Sequence, residues 1–228
     1  MREKLLVGQY YHVFSRGVNR QPLFRDDQDF QRFYESLYLF NDINYKRPGG
    51  GRDEDREIRL ATWKLYESER KPYVKIISFA FIPNHFHLFI QPLQEDGAPK
   101  FLHKLNKGFA RYHNLRHGRS GHVFEGTYKS VHIIKEAHFF HIPRYIHLNA
   151  LDLTHPNWRE GTIADWPSAK QQLDAYPWTS HHVYMGKEQP LPVIDETAAR
   201  EFFPTIEEYE KYLRDWSGRY VFEPEFRY

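Results

Sequence analysis

Two histidines stand two residues apart inside an apolar run, Ile82-Pro83-Asn84-His85-Phe86-His87-Leu88-Phe89-Ile90. Side chains alternate faces along a strand, so His85 and His87 project from one side while Phe86 and Leu88 take the other. Two imidazoles on one strand can chelate a divalent metal if a third ligand arrives from elsewhere. The chain has fourteen histidines, so chance pairs arise too, and strand histidines facing water are the plain alternative. A second segment, Arg144-Tyr145-Ile146-His147-Leu148-Asn149, reads as helix. There Tyr145 and Asn149, four residues apart, share a face.

A metal pair on a strand, with a tyrosine and an amide on a helix, suits phosphoryl transfer. The metal would polarise a scissile phosphate, and a Tyr145 phenolate could attack phosphorus to form a covalent phosphotyrosine. A phenol titrates at about 10 when unperturbed, so it needs activation by a metal, a base or a cation. Both imidazoles must be neutral to bind metal, so binding should fail in acid. Asn149 can complete the shell through its carbonyl oxygen. His141, one turn before Tyr145, is the other candidate third ligand or a proton acceptor. Tyr112 and Tyr128 are weaker nucleophiles, since neither has an amide partner on a helix face. Each residue also has a structural alternative: Tyr145 could pack on a sheet, and Asn149 could be satisfied by backbone.

The elements that must position these groups can be read along the chain. Leu6–Ser15 is a first strand closed by the turn Arg16-Gly17-Val18-Asn19-Arg20. Asp26 or Asp27 caps a helix with Phe30, Phe33, Tyr34, Leu37 and Tyr38 at helical spacing. Pro48-Gly49-Gly50-Gly51 and the charged run after it form an excursion at about 46–71, with a short helix expected over Ile58–Glu69. Lys75–Phe81 and His85–Pro92 are strands joined tightly at Pro83-Asn84. Lys100–Arg116 is a helix ended by Gly118 and Gly121, and Val123–Ile134 is a further strand or hairpin. Glu136–Leu153 is helical, and Pro143 predicts a fresh helix over Arg144–Leu153. The order β-α-β-β-α-β-α predicts an α+β fold: a ferredoxin-like antiparallel four-stranded sheet with helices packed on one face. The last helix would lie across the sheet and present Tyr145 to the histidine strand. A catalytic domain over 1–153 is expected, followed by an irregular C-terminal tail over 154–228 with short helices, of which Thr205–Arg214 is the clearest.

Composition narrows the class. The chain has 228 residues and no cysteine, which excludes disulfides and thiolate metal sites and fits a reducing, cytoplasmic compartment. No apolar run approaches the roughly twenty residues that span a bilayer, so no membrane association is expected. Net charge is only +2, but basic residues cluster. Lys104, Lys107, Arg111, Arg116 and Arg119 lie between Lys100 and Lys129, where Glu125 is the only carboxylate. Phe109, Tyr112, Phe124 and Tyr128 are interleaved with them, a pattern suited to phosphate backbone and stacked bases. A solvated helix face followed by a hairpin would read the same way.

The residues quoted carry a pattern that resembles the single-tyrosine HUH transposases of small bacterial insertion sequences, most closely the REP-associated tyrosine transposase group. The matching pieces run in order: Tyr11-His12-Val13-Phe14-Ser15-Arg16-Gly17-Val18-Asn19-Arg20, Ile82-Pro83-Asn84-His85-Phe86-His87-Leu88 and Ala110-Arg111-Tyr112-His113-Asn114, then the stretch from Gly118 to Ser130, Arg144-Tyr145-Ile146-His147-Leu148-Asn149 and Tyr176-Pro177-Trp178-Thr179-Ser180. The resemblance implies a ferredoxin-like catalytic fold, Mg²⁺ or Mn²⁺, and hairpin-containing single-stranded DNA as substrate. It places His85 and His87 on the metal histidines, Tyr145 on the nucleophile and Asn149 on the polar metal ligand. DNA contacts are then expected at Arg16, Asn19, Arg20, Lys104, Lys107, Arg111, Arg116, Arg119 and Lys129. Pro143, Ala150 and the long charged excursion depart from the pattern, and the tail favours a monomer over a homodimer. The expected activity is cleavage and rejoining of single-stranded DNA through a 5′-phosphotyrosine. The alternatives are a domesticated hairpin-DNA binder without transposition and a metal-dependent phosphodiesterase using water.

Overall fold

The computed structural model describes residues 4–45, 67–160 and 163–215. Most of the charged excursion, and of the helix expected from Ile58, lies outside the described residues. Four antiparallel strands form one sheet in the order β2-β3-β1-β4, with β1 at Tyr10–Arg16, β2 at Val74–Ile82, β3 at His85–Pro92 and β4 at Lys129–Ile133. Helices α1 (Asp27–Phe40) and α2 (Gly97–Arg116) complete the ferredoxin-like βαββαβ unit, and α3 (Glu136–Leu148) follows.

Register decides which side chains share a face. Phe14 pairs with His87, Arg16 with His85 and His12 with Phe89, so His12, Phe14 and Arg16 stand on the same face as the two histidines. Lys129 pairs with Phe14 and joins that face. The opposite face carries Val13, Phe86 and Leu88, all buried, under α1 and α2. Phe33 of α1 meets Phe86 with ring centroids 4.9 Å apart. The two helices approach closely, because a Cβ on Gly108 would meet the Phe40 ring at 2.5 Å. Asp26 caps α1, accepting from the Gln28 and Asp29 backbone N–H groups at 3.1 and 3.2 Å.

Helix α3 takes the histidine face, packed on β2 and β3. It runs unbroken through Pro143, which corrects the expectation of a fresh helix at Arg144. An interior proline costs roughly 3 kcal/mol, and burial of Ile142, Tyr145 and Ile146 on the sheet offsets it. The last turn tightens into a 3₁₀ segment over Asn149–Leu153. Two strand boundaries also move. β1 starts at Tyr10, because the Gln9 N–H turns back to the Leu6 carbonyl. Residues 123–128 are not strand but a loop that closes on the β1 turn, with Phe124 bridged to Gly17.

After the 3₁₀ turn Pro156–Glu160 come, among the described residues, the helices α4 (Trp166–Ala175), α5 (His181–Tyr184), α6 (Glu196–Phe202) and α7 (Ile206–Arg214). Thr205 and Glu208 form a capping box at the start of α7. This region covers the β2 edge: Phe81 N–H donates to the Trp178 carbonyl at 2.9 Å and Ser180 N–H to the Phe79 carbonyl at 3.0 Å. Among the described residues, no helix is long and apolar enough to cross a membrane.

Candidate active site

The hairpin at Pro83-Asn84 sets the first histidine. His85 Nδ1 lies 2.7 Å from Asn84 Oδ1, and an amide oxygen can only accept, so this contact is made by the tautomer with its proton on Nδ1. In that tautomer Nε2 carries the lone pair a metal-binding histidine would use. His87 is held by a residue that sequence reasoning missed: His12 Nε2 lies 2.8 Å from His87 Nδ1, with the rings stacked 5.0 Å apart. Burial lowers the pKa of His12 and of His85 to about 3 and that of His87 well below the ordinary value. The nearby cations Arg16 and Arg159 push both His85 and His87 further down. All three rings are therefore neutral at physiological pH, as lone-pair donors must be.

Helix α3 delivers the tyrosine. The Tyr145 ring lies 5.7 Å from that of His87 and 5.9 Å from that of His12, edge-on to both. Burial raises its phenol pKa, while the Arg159 charge and hydrogen bonding with Arg159 and Asn149 work against that rise. Asn149 sits at the junction of α3 and the 3₁₀ segment, donating through Nδ2 to the Tyr145 carbonyl at 2.6 Å. Its Oδ1 accepts from Arg159 Nη2 at 2.6 Å, and its side chain also interacts with His85.

Arg159, Trp158 and Asp152 form the cover of the site, and none was singled out from the sequence. Trp158 packs 5.8 Å from the Tyr145 ring and donates through Nε1 to Asp152 Oδ1 at 2.6 Å. Arg159 also bonds Asp152 and stacks on Trp158. Tyr145 is only 2% exposed, with Trp158 and Arg159 against it.

The donor set fits a divalent cation in part. His85 and His87 present two neutral imidazoles, whereas the Asn149 carbonyl already accepts from the Arg159 guanidinium, whose charge opposes a cation there. His141 is turned elsewhere: its Nδ1 accepts from Arg144 Nη2 at 2.8 Å, and Arg144 Nη1 donates to the Tyr212 carbonyl in α7. Among the described residues, the one three-membered cluster of histidines and acids with ligand atoms converging is Asp29, His113 and His117, between α1 and α2.

The expected DNA contacts scatter over both faces. Arg16 and Lys129 share the histidine face, and Asn19 and Arg20 are exposed in the turn after β1, both at positive φ. Beside β4 lies an open groove of about 940 Å³, lined by Phe14, Thr127, Lys129 and Ile134 among others. Lys104, Lys107 and Arg111 lie on α2, across the sheet from the histidines, and Lys104 Nζ is bonded to Tyr73 Oη at 2.9 Å. Arg119 follows α2, its N–H bonded to the Asn114 carbonyl. Arg116 is committed to Asp26 and Asp29 at 2.7 and 2.5 Å.

No family model and no curated protein matches the sequence. Among solved structures, the chain is similar to a REP-associated tyrosine transposase bound to a REP hairpin, at 14% identity and a TM-score of 0.46, covering 82% of this chain and 85% of that one. It is also similar to tRNA(His) guanylyltransferase from Saccharomyces cerevisiae, at 10% identity and a TM-score of 0.33, covering 78% and 76% of the two chains.

Proposed function

We propose that this chain cleaves and rejoins single-stranded DNA, hairpin-containing DNA above all, with Tyr145 as the nucleophile. The observation that carries the proposal is the convergence of Tyr145 from α3 on His87 and His12 from two neighbouring strands, with Asn149 and Arg159 at the phenol. In the reaction the Tyr145 oxygen attacks phosphorus and the bond to the 3′ oxygen breaks. That oxygen leaves as a 3′ hydroxyl, and the 5′ phosphate stays on the tyrosine. A later 3′ hydroxyl reverses the step and rejoins strands.

His85 and His87 would hold Mg²⁺ or Mn²⁺, with the Asn149 carbonyl as the third ligand. A cation there supplies Lewis-acid polarisation of the scissile phosphate. Asn84 and His12 keep the two imidazoles in orientation. Arg159 has a second part in this scheme: a guanidinium beside the phenol favours the phenolate, and it can pair with a phosphate bidentately. Arg16 and Lys129 on the histidine face, with Asn19 and Arg20 at its border, form the surface proposed for the DNA backbone. Because Tyr145 meets the histidines of its own chain, one chain contains the whole site, which supports action as a monomer.

The engagement of Asn149 by Arg159 supports one other reading, a hairpin-DNA binder that no longer cuts. Incubation with a random single-stranded DNA pool and Mn²⁺, comparing wild type with Tyr145→Phe, separates the two. The enzyme gives cleaved and rejoined strands that disappear in the variant. A binder retains DNA in both proteins, with strong salt dependence and no cleavage. Cleavage that survives Tyr145→Phe would instead identify activated water as the nucleophile.

A further inference from the structure

Away from the sheet's histidine face, Asp29 sits in the first turn of α1 with no exposure to solvent. Its Oδ2 accepts from the Arg25 N–H at 3.0 Å and its Oδ1 from Arg116 Nη1 at 2.5 Å. His117, at the end of α2, places Nε2 at 3.0 Å from Asp29 Oδ2. His113 stands four residues earlier and so on the same helix face. It is fully buried, its ring lies 4.6 Å from that of His117, and neither of its nitrogens has a hydrogen-bond partner among the described residues. Buried imidazole nitrogens without hydrogen-bond partners are costly. Ligand atoms from Asp29, His113 and His117 all lie within 4.8 Å of one another.

We propose that Asp29, His113 and His117 bind a transition-metal dication of the Zn²⁺ class, which clamps the start of α1 to the end of α2. The 3.0 Å between His117 Nε2 and Asp29 Oδ2 is close to the ligand–ligand edge of about 3.3 Å that tetrahedral bonds near 2 Å produce. Two imidazoles and one carboxylate select zinc over magnesium or calcium, which prefer all-oxygen sites. Arg116 fits the arrangement as the outer partner that holds Oδ1 and turns Oδ2 inward, while Asp26 balances its charge. The clamp would fix His117, the residue from which the loop back to the β1 turn departs. That loop carries Arg119, and its Val123 carbonyl accepts from the Val18 N–H.

The test needs protein in which the sheet histidines cannot answer, so His85→Ala and His87→Ala form the background. Stripped of metal and titrated with Co²⁺, this protein should show the visible absorption of four-coordinate cobalt, complete at one equivalent and displaced by Zn²⁺. Excess Zn²⁺ should raise Tm by about 5 °C or more. His113→Leu and Asp29→Asn should each abolish both responses. Without metal, His113→Leu should match or exceed its parent in Tm, because it removes the unsatisfied ring. If His113→Leu does not fold, Asp29→Asn alone gives the reading. Absence of the cobalt spectrum and of the Tm shift in the background protein would overturn the site, as would responses that survive Asp29→Asn.

Discussion

Arg159 is the residue on which the candidate site turns. Its guanidinium reaches the Asn149 carbonyl and the Tyr145 phenol from a 3₁₀ turn that carries no periodic signal. His85, His87, Tyr145 and Asn149 could be picked from sequence because strand alternation and four-residue helical spacing are local rules. Arg159 could not, since only the folded chain brings it beside Asn149. His12 lies between these cases: it shares a strand with Phe14 and Arg16, but its pairing with His87 depends on a register set 75 residues away. Arg159→Ala removes a cation from beside the two imidazoles and frees the Asn149 carbonyl. Mn²⁺ should then bind about tenfold more tightly, corresponding to roughly 1.4 kcal/mol of relieved repulsion. Isothermal titration measures this directly, and unchanged or weaker binding would show that Arg159 does not compete with the ion.

Among the elements, α3 does the positioning and the C-terminal region holds it in place. His147 is buried on α3, with Nε2 2.7 Å from Ser180 Oγ and Nδ1 2.9 Å from Tyr209 Oη. Tyr209 Oη in turn lies 2.7 Å from His181 Nδ1, whose ring reaches Asp174. These side chains join α3 to α4, α5 and α7. His147→Ala breaks two buried hydrogen bonds and leaves a cavity, which should cost about 2–4 kcal/mol. Urea denaturation should show the loss as a lower midpoint, with part recovered in His147→Gln. A shift no larger than an ordinary surface substitution would mean that α3 is held by the sheet alone. Helix α3 also marks a limit of sequence reading. Pro143 is a strong local breaker, yet Ile142 and Ile146 are fully buried on the sheet, and tertiary packing carries the helix through it. The ferredoxin-like order was legible because its strands and helices each keep a clear period. The loop at 123–128 was not, since Val123, Phe124 and Tyr128 look β-rich but are buried by closing on the β1 turn.

The whole molecule carries an unusual load of buried neutral histidine. Burial holds His12, His85 and His141 at about 3 and His181 at about 4, and keeps His87 and His147 well below the ordinary value. In the unfolded chain each of these would titrate at about 6.5. The unfolded state therefore binds more protons below that pH, so stability is fully present above it and is lost as pH falls toward the folded values. Each histidine can remove up to about 1.4 kcal/mol per pH unit across this window. Tm should thus drop steeply from pH 7 to pH 5, and a flat profile would contradict neutral burial of the histidine face.

Covalent capture tests the central claim most directly. Wild-type protein, incubated with single-stranded DNA and Mn²⁺, then denatured and digested with nuclease and protease, should yield one peptide enlarged by a nucleotide 5′ phosphate. Fragmentation by mass spectrometry should locate that mass on Tyr145, and Tyr145→Phe should give none. A modified peptide at any other residue, or cleaved DNA with every tyrosine unmodified, would contradict the assignment of Tyr145 as the nucleophile.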